Sequence, residues 1–317
     1  MREPAHYHLL KEKIRLLARE QDVIILAHNY QEGAIQDVAD FTGDSLMLSQ
    51  KAAAAREKVI LFCGVHFMAE TASILCPQKK VLVPDLAAGC SLADMVIEKD
   101  IHQWKQKHPD GVVVCYINTS ASVKAVSDYC CTSSNAVKVV QAIPPEKEIL
   151  FVPDFYLGSY VKCRTGRENL HVWKGYCPAH TAITPEGIDS LRDEHPEAEF
   201  IMHPECGCMT KSMDLADAIL STEGMVQYVR QSPAREFIIA TETGILYKMQ
   251  KENPEKQFYP ASEQAICDHM RRNTLEKAFW SLMELKHEVK VPAGLAERAL
   301  TPIQRMMEIS SGNGRSS

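Results

Sequence analysis

Three short polar groups, each at the end of an apolar run, hold most of the chemistry this sequence can perform. The run 23–27 (VIILA) leads into His28-Asn29-Tyr30, the run 112–116 (VVVCY) closes on Tyr116-Ile117-Asn118, and 198–202 (AEFIM) leads into His203-Pro204-Glu205. Imidazole, phenol, amide and carboxylate together bind small oxygen-rich molecules and move protons near neutral pH. His28, Tyr116 and His203 are spaced by 88 and 87 residues. A second layer keeps the same step: Ser45, Ser133 and Thr222, spaced by 88 and 89, each stand just before a stretch of helical periodicity. They read as N-caps, and a hydroxyl beside the unpaired N–H groups of a helix start makes a site for carboxylate or phosphate. Cysteine forms a third layer, with Cys90, Cys177 and Cys267 recurring at 87 and 90. Three thiols, one per repeat, can grip a single cofactor where the repeats meet. On an iron–sulfur cluster they would leave one iron without a protein ligand, open to act as a Lewis acid for dehydration or for polarising a carbonyl.

These residues need elements to position them. Strands are expected at 23–27, 59–62, 81–83, 112–116, 149–152, 198–202 and 236–240. Helices are expected at 45–56, 91–106, 134–142, 184–194, 211–219 and 274–286. Strands alternating with helices of this length imply βαβ units and parallel sheets. Phe62, Phe151 and Ile238 also keep step, at 89 and 87. Length alone suggests two domains, at about 100–200 residues each. The repeat instead divides the 317 residues into three related αβα units of about 88 residues. Domains are expected at 1–107, 108–194 and 195–291, with a helix at 292–309 returning to the first and a flexible tail at 310–317. Ligands of open parallel sheets bind outside the carboxyl ends of the strands, where the three polar groups fall.

Composition narrows the partners. Thirty-five Lys+Arg against 41 Asp+Glu give a net charge of −6 with no basic cluster, which argues against nucleic acid. No apolar run approaches the roughly 18 residues of a membrane span, and the charged, amphipathic start lacks a signal-peptide core. A cytoplasmic protein is expected, in which the eleven cysteines are core thiols, nucleophiles or metal ligands rather than a disulfide framework. The absence of GxGxxG and Walker motifs speaks against a nucleotide site. Cys63 and Cys115, inside strands, read as small core residues, and so do Cys76, Cys130, Cys131 and Cys163. Cys206 and Cys208, beside His203 and Glu205, form a candidate zinc set. Asp37, Asp40 and Asp44 read as solvent-facing or helix-capping.

The motifs ILAHNYQ (25–31), DFTGDSL (40–46), PDLAAGCSLADM (84–95), CYINTSASVK (115–124), CTSSNAV (131–137), CPAH (177–180), HPEC (203–206), STEG (221–224) and NTLEKA (273–278) appear in order. In this the sequence resembles the A-type quinolinate synthases of bacterial and plant NAD biosynthesis, from about residue 20 to residue 309. The resemblance implies three αβα domains in pseudo-threefold arrangement around a 4Fe–4S cluster on Cys90, Cys177 and Cys267, with one open iron. It implies condensation of iminoaspartate (iminosuccinate) with dihydroxyacetone phosphate to quinolinate, releasing phosphate and two waters. His28, Ser45, Tyr116, Asn118, Ser133, His203, Glu205 and Thr222 would bind substrate, with Tyr30, His203 and Glu205 in catalytic roles. Iminoaspartate would come from an L-aspartate oxidase or dehydrogenase. Some members carry a C-x-x-C-x-x-C run at the third cysteine; here Cys267 stands alone, so no disulfide is expected there. Two other readings stay open: a zinc hydrolase using His203, Glu205, Cys206 and Cys208, and a non-catalytic iron–sulfur sensor or anion-binding protein.

Overall fold

A computed structural model describes residues 5–311. The first unit runs α1 (Ala5–Glu20), β1 (Val23–His28), α2 (Gly33–Val38), β2 (Phe41–Gly43), α3 (Ser45–Ala54), β3 (Val59–Cys63), α4 (His66–Leu75) and β4 (Lys80–Leu82). The second repeats it as α5 (Glu98–Lys107), β5 (Val112–Tyr116), α6 (Ala121–Ala125), β6 (Tyr129–Cys131), α7 (Ala136–Gln141), β7 (Ile149–Val152), α8 (Phe155–Thr165) and β8 (Leu170–Val172). After the short α9 (Pro178–Thr181), the third has α10 (Pro185–Glu194), β9 (Glu199–Met202), α11 (Met209–Ser212) and β10 (Ala218–Ile219). It continues with α12 (Thr222–Gln231), β11 (Glu236–Ala240), α13 (Ile245–Glu252) and β12 (Gln257–Pro260). Helices α14 (Leu275–Glu284) and α15 (Ala293–Ser310) close the chain.

Each unit builds the same four-stranded parallel sheet, in the orders β2-β1-β3-β4, β6-β5-β7-β8 and β10-β9-β11-β12. The fold is therefore α/β, with three αβα layers as the repeat implied. The central strands are buried on both faces, which is why they read as unbroken apolar runs rather than alternating ones. Helix starts are fixed by side-chain caps: Asp44, Ser120, Asp154, Thr184, Ser221 and Thr274 each accept from the backbone N–H three residues on.

The edge strands at 41–43, 129–131, 170–172, 218–219 and 257–260 were not anticipated, being only two to four residues long. The helix expected at 211–219 is a correction. It breaks into α11, a 3-10 turn (Met213–Leu215) and strand β10. The cause is Asp217, whose carboxylate accepts from Phe200 N at 2.7 Å and whose own N–H donates to Phe200 O at 2.8 Å. The same two bonds tie Asp40 to Ile25 and Asp128 to Val113. Asp40 thus fastens β2 to β1. Asp37, three residues earlier, pairs with Lys11 and Lys251.

One apolar core runs through all three units, holding Leu26, Val114, Ile201, Ile239 and Ile303 together with many others. Two smaller clusters cover outer faces. Ile14 of α1 and Leu275, Ala278 and Leu282 of α14 pack on Ile25 and Leu61 of the first sheet, so the chain's penultimate helix serves its first sheet. Ile188 of α10 packs on Phe200 and Ile238 of the third sheet. Helix α15, expected over 292–309 to return to the first unit, is a correction: it touches α4 of that unit but packs mainly on α6, β6 and α7 of the second. Asn135 donates to Ser310 Oγ at its end (2.7 Å). Of the tail expected at 310–317, Ser310 ends that helix and residues 312–317 lie outside the described residues. Asp128→Ala is expected to lower unfolding stability by about 1–3 kcal/mol, because it strands the buried Val113 N–H. Chemical denaturation checks this, and an unchanged midpoint would show that the Asp bonds do not hold the edge strands.

Candidate active site

In each sheet the chain leaves the first strand towards one edge and the third strand towards the other. This opens a crevice at the carboxyl ends of β1 and β3, of β5 and β7, and of β9 and β11. The three crevices share one cavity of about 60 Å³. Its walls include every residue expected to bind substrate, act in catalysis or hold the cluster: His28, Tyr30, Tyr116, Asn118, His203, Glu205, Ser45, Ser133, Thr222, Cys90, Cys177 and Cys267. Asp44, Val65, Phe67, Met68, His180 and Glu242 join them without having been assigned to a site. Asp154 stands behind Glu205, close enough to raise its proton affinity. Asp154 and Glu242 were legible: they lie 88 residues apart at equivalent strand ends.

The hydroxyl layer is not a capping layer. Asp44 caps α3 by accepting from Met47 N at 2.9 Å, and Ser221 caps α12 by accepting from Gly224 N at 3.2 Å. Ser45 and Thr222 are the first helical residues, and Ser133 lies two residues before Asn135, which precedes α7. With Asp44 and Ser221 capping α3 and α12, and no side chain capping α7, none of these hydroxyls is spent as a helix cap. Thr222 Oγ1 accepts from Asn29 Nδ2 at 3.2 Å, and Ser133 Oγ meets His203 Nε2 at 3.0 Å.

The imidazoles are oriented by their own backbone. Tyr30 N donates to His28 Nδ1 (3.2 Å), and Glu205 N donates to His203 Nδ1 (3.4 Å). An accepting Nδ1 leaves the proton on Nε2, so each neutral ring presents a donor. Burial lowers His28 to about 3, with the nearby His180 and Lys248 adding to the shift. Burial lowers His180 to about 4, and His203 falls well below its usual value through burial, His180 and His28. Glu205 moves the other way. Burial first and Asp154 second raise its proton affinity well above that of an ordinary carboxyl, while Tyr116 donates to its Oε2 at 3.2 Å. Tyr30 bonds Thr241 Oγ1 (2.5 Å) and His180 Nε2 (3.2 Å), and burial followed by Glu205 makes its phenol hard to ionise. Glu205 Oε1, Asn118 Oδ1 and His180 Nδ1 are buried without a partner. All three stand on the cavity wall, where they are open to a bond from water or a ligand.

The three cysteines of the repeat occupy one setting. Cys90 and Cys267 precede 3-10 turns at Ala93–Met95 and Met270–Arg272, and Cys177 opens α9. In each the backbone N–H three residues on, of Ala93, His180 or Met270, is directed at the sulfur. Such bonds favour a thiolate, whereas burial and the neighbouring thiols oppose one; a bound cation reverses that opposition. The three cysteines line one cavity, and the thiols of Cys90 and Cys267 lie near enough to Cys177 to oppose its ionisation. Three soft sulfur donors facing one space suit an iron–sulfur cluster, so the residues fit the group.

Of the other eight cysteines, Cys63, Cys76, Cys115, Cys130 and Cys131 are buried core thiols as read. Cys163 is a correction: it is exposed, because α8 buries Leu157 and Val161 on its opposite face. Cys206 and Cys208 are buried in the third unit's core, with Cys206 Sγ donating to Ala240 O at 2.9 Å. The expected zinc set is therefore not assembled; within the cavity the ligand atoms that do converge are those of His180, His203 and Glu205.

Three repeated parallel-sheet units around one polar, cysteine-bearing cavity define a pseudo-threefold αβα protein with its site at the junction. The chain belongs to the quinolinate synthetase A protein family, whose sequence model matches residues 12–308. It is 51% identical to the quinolinate synthase of Pyrobaculum aerophilum over 308 residues, 95% of this chain and 100% of that one. It is likewise 51% identical to that of Thermus thermophilus (95% and 97% covered) and 47% identical to that of Mycobacterium tuberculosis (95% and 89%).

Burial raises the Asp154 carboxyl to about 8, against about 3.9 in an unfolded chain. Its raised folded-state value means that stability is present at low pH and is lost as pH climbs from about 4 to 8. Asparagine keeps the cap on Leu157 N without that titration. The stability of Asp154→Asn relative to the parent should therefore rise between pH 5 and pH 8 in urea denaturation, and a difference independent of pH would rule the assignment out.

Proposed function

We propose that this chain is a quinolinate synthase, a transferase that condenses iminoaspartate with dihydroxyacetone phosphate to quinolinate, with loss of phosphate and two waters, in de novo NAD biosynthesis. The observation that carries this reading is the single cavity to which each unit contributes one cysteine and a set of neutral polar donors. The proposed cofactor is a 4Fe–4S cluster on Cys90, Cys177 and Cys267. When bound, it supplies a Lewis acid at the iron that has no protein ligand.

The chain's own residues account for the remaining tasks. No Lys or Arg lines the cavity among the described residues. The substrate carboxylates and phosphate are instead met by Ser45, Ser133, Thr222 and Asn118, by the N–H groups that open α3 and α12, and by His28 and His203 as Nε2–H donors. Glu205, which keeps its proton through burial, is placed to protonate a departing oxygen and to take the proton back during imine–enamine exchange. His203 holds Ser133 and stands 3.3 Å from the Glu205 carboxylate oxygen, a path between them. Tyr30, bonded to Thr241 and His180, holds a second proton. The domain cuts are read as falling before α5 and α10 rather than at 107 and 194, since these helices lead into the second and third units, and α14, within the expected 195–291, packs on the first sheet. Iminoaspartate, a reactive imine, is read as arriving from an L-aspartate oxidase or dehydrogenase. A cytoplasmic site suits eleven free cysteines, and among the described residues no helix is long and apolar enough to cross a membrane.

A second reading, one metal ion at His180, His203 and Glu205, is favoured by their convergence within 4.8 Å. Metal content of anaerobically purified protein separates the two, with about four irons per chain expected for the cluster. Serine at position 90, 177 or 267 should abolish the iron and its visible absorption, while Cys63→Ser and Cys206→Ser keep both. Iron retained in Cys90→Ser but lost in Cys206→Ser would refute the ligand assignment. Glu205→Gln should keep its iron and lose turnover by about 10²–10⁴-fold; full activity would remove Glu205 from the chemistry.

A further inference from the structure

At the amino ends of the second sheet's strands, away from the cysteine-bearing cavity, three potential ligands converge. His108 follows α5, Glu148 immediately precedes β7, and His171 lies in β8. One imidazole nitrogen from each histidine and a Glu148 oxygen all fall within 4.8 Å of one another. His108 Nδ1 hydrogen-bonds Glu148 Oε2, and His171 Nε2 stands 3.6 Å from the same oxygen. The rings of His108 and His171 are 5.4 Å apart.

The arrangement is built rather than incidental. Trp104 stacks on the His108 ring at 4.4 Å with an interplanar angle of 14°, which fixes that ring's plane. Glu148 O accepts from Val112 N at 2.8 Å, tying the segment after His108 to that of Glu148. Strand β8 is registered against β7 with His171 opposite Leu150. Three chain segments are thus held in place with their donor atoms facing one another, and the hollow beside His108 and Glu148 opens to solvent.

We propose that His108, Glu148 and His171 form a second, surface metal site for a first-row divalent cation of the zinc type, separate from the active site. Two neutral imidazoles and a carboxylate are a donor set suited to zinc, nickel or cobalt, and three protein ligands leave a coordination position for water. The ion replaces the proton shared by His108 and Glu148. Because the ligands come from three segments, it pins the short edge strand β8 to the strand starts of the second sheet.

Anaerobic calorimetry with zinc chloride, on the parent and on His171→Ala, tests this. Zinc taken up by other thiols is common to both proteins and cancels in the difference. The parent should bind one equivalent that His171→Ala has lost by more than about 100-fold in affinity, since even outer-shell partners of a metal are worth 10–100-fold. Glu148→Gln should lose it likewise. All three proteins should keep the same iron content and turnover, which shows that the loss is not unfolding. Nickel should quench Trp104 emission in the parent, and Trp104→Phe should lose that signal. Equal zinc binding in parent and variants, no zinc binding by the parent at 1 mM, or no quenching would overturn the site and leave an exposed His–Glu ion pair.

Discussion

Hydrogen bonds that cross from one unit to the next at the carboxyl ends of the strands set the other distances in the cavity. Asn29 reaches Thr222, Ser221 reaches Asp44, Tyr30 meets Thr241, Tyr116 donates to Glu205, and His203 meets Ser133. Most of these groups are buried, so losing one partner strands the other at a cost of about 1–3 kcal/mol. Apolar packing through the shared core brings the units together but is tolerant of small slips. The polar contacts are directional and are not. They therefore decide where Glu205 and the imidazoles stand relative to the three cysteines, which arrive on separate loops from separate units.

That dependence on neutral contacts explains the cavity's unusual charge. The nearest cations are committed elsewhere. Lys248 donates to Asn29 Oδ1 and pairs with Glu223, and Arg271 pairs with Glu242. Buried Lys124 caps the carbonyls of Ile117 and Thr119, the two residues flanking Asn118, and so shapes the loop that presents it. With no cation on the walls among the described residues, only the Tyr116 hydrogen bond favours ionised Glu205, and burial outweighs it. A lysine in the cavity would bind carboxylates more strongly, but it would also favour ionised Glu205 and so remove the proposed acid. Neutral hydroxyls, amides and helix-start N–H groups hold anions without that conflict.

What sequence could show follows from which signals repeat. The central strands were readable because burial on both faces leaves unbroken apolar runs, and the polar triplets because they recur in step. The edge strands were not, since two to four residues carry little pattern. Ser45 and Thr222 were placed one residue out of register as caps because Asp44-Ser45 and Ser221-Thr222 each offer two good capping residues in succession. Only geometry shows which one turns inward. His180 sat unassigned inside a quoted motif. Asp40, Asp128 and Asp217 kept the step and went unused. The helix expected over 211–219 failed for the same reason, since Asp217 draws that segment into the sheet. The seating of α14 on the first sheet depends on which surfaces are left uncovered, and no local signal encodes that.

The three units share a backbone but have diverged unequally, and the pattern of divergence carries mechanistic content. At the first strand ends the residues are His28, Tyr116 and His203, and two positions on they are Tyr30, Asn118 and Glu205. At the cysteine position all three are the same. A centre on a pseudo-threefold axis meets equivalent surroundings from each unit, so one residue type can serve three times. A substrate with no threefold symmetry meets three different walls and needs a different group from each. Identity at the cysteines beside difference at the strand ends is therefore the pattern expected of one symmetric cofactor facing an asymmetric ligand. It also explains why the repeat persists in the backbone: the axis has to be kept for the cysteines, while each wall remains free to specialise.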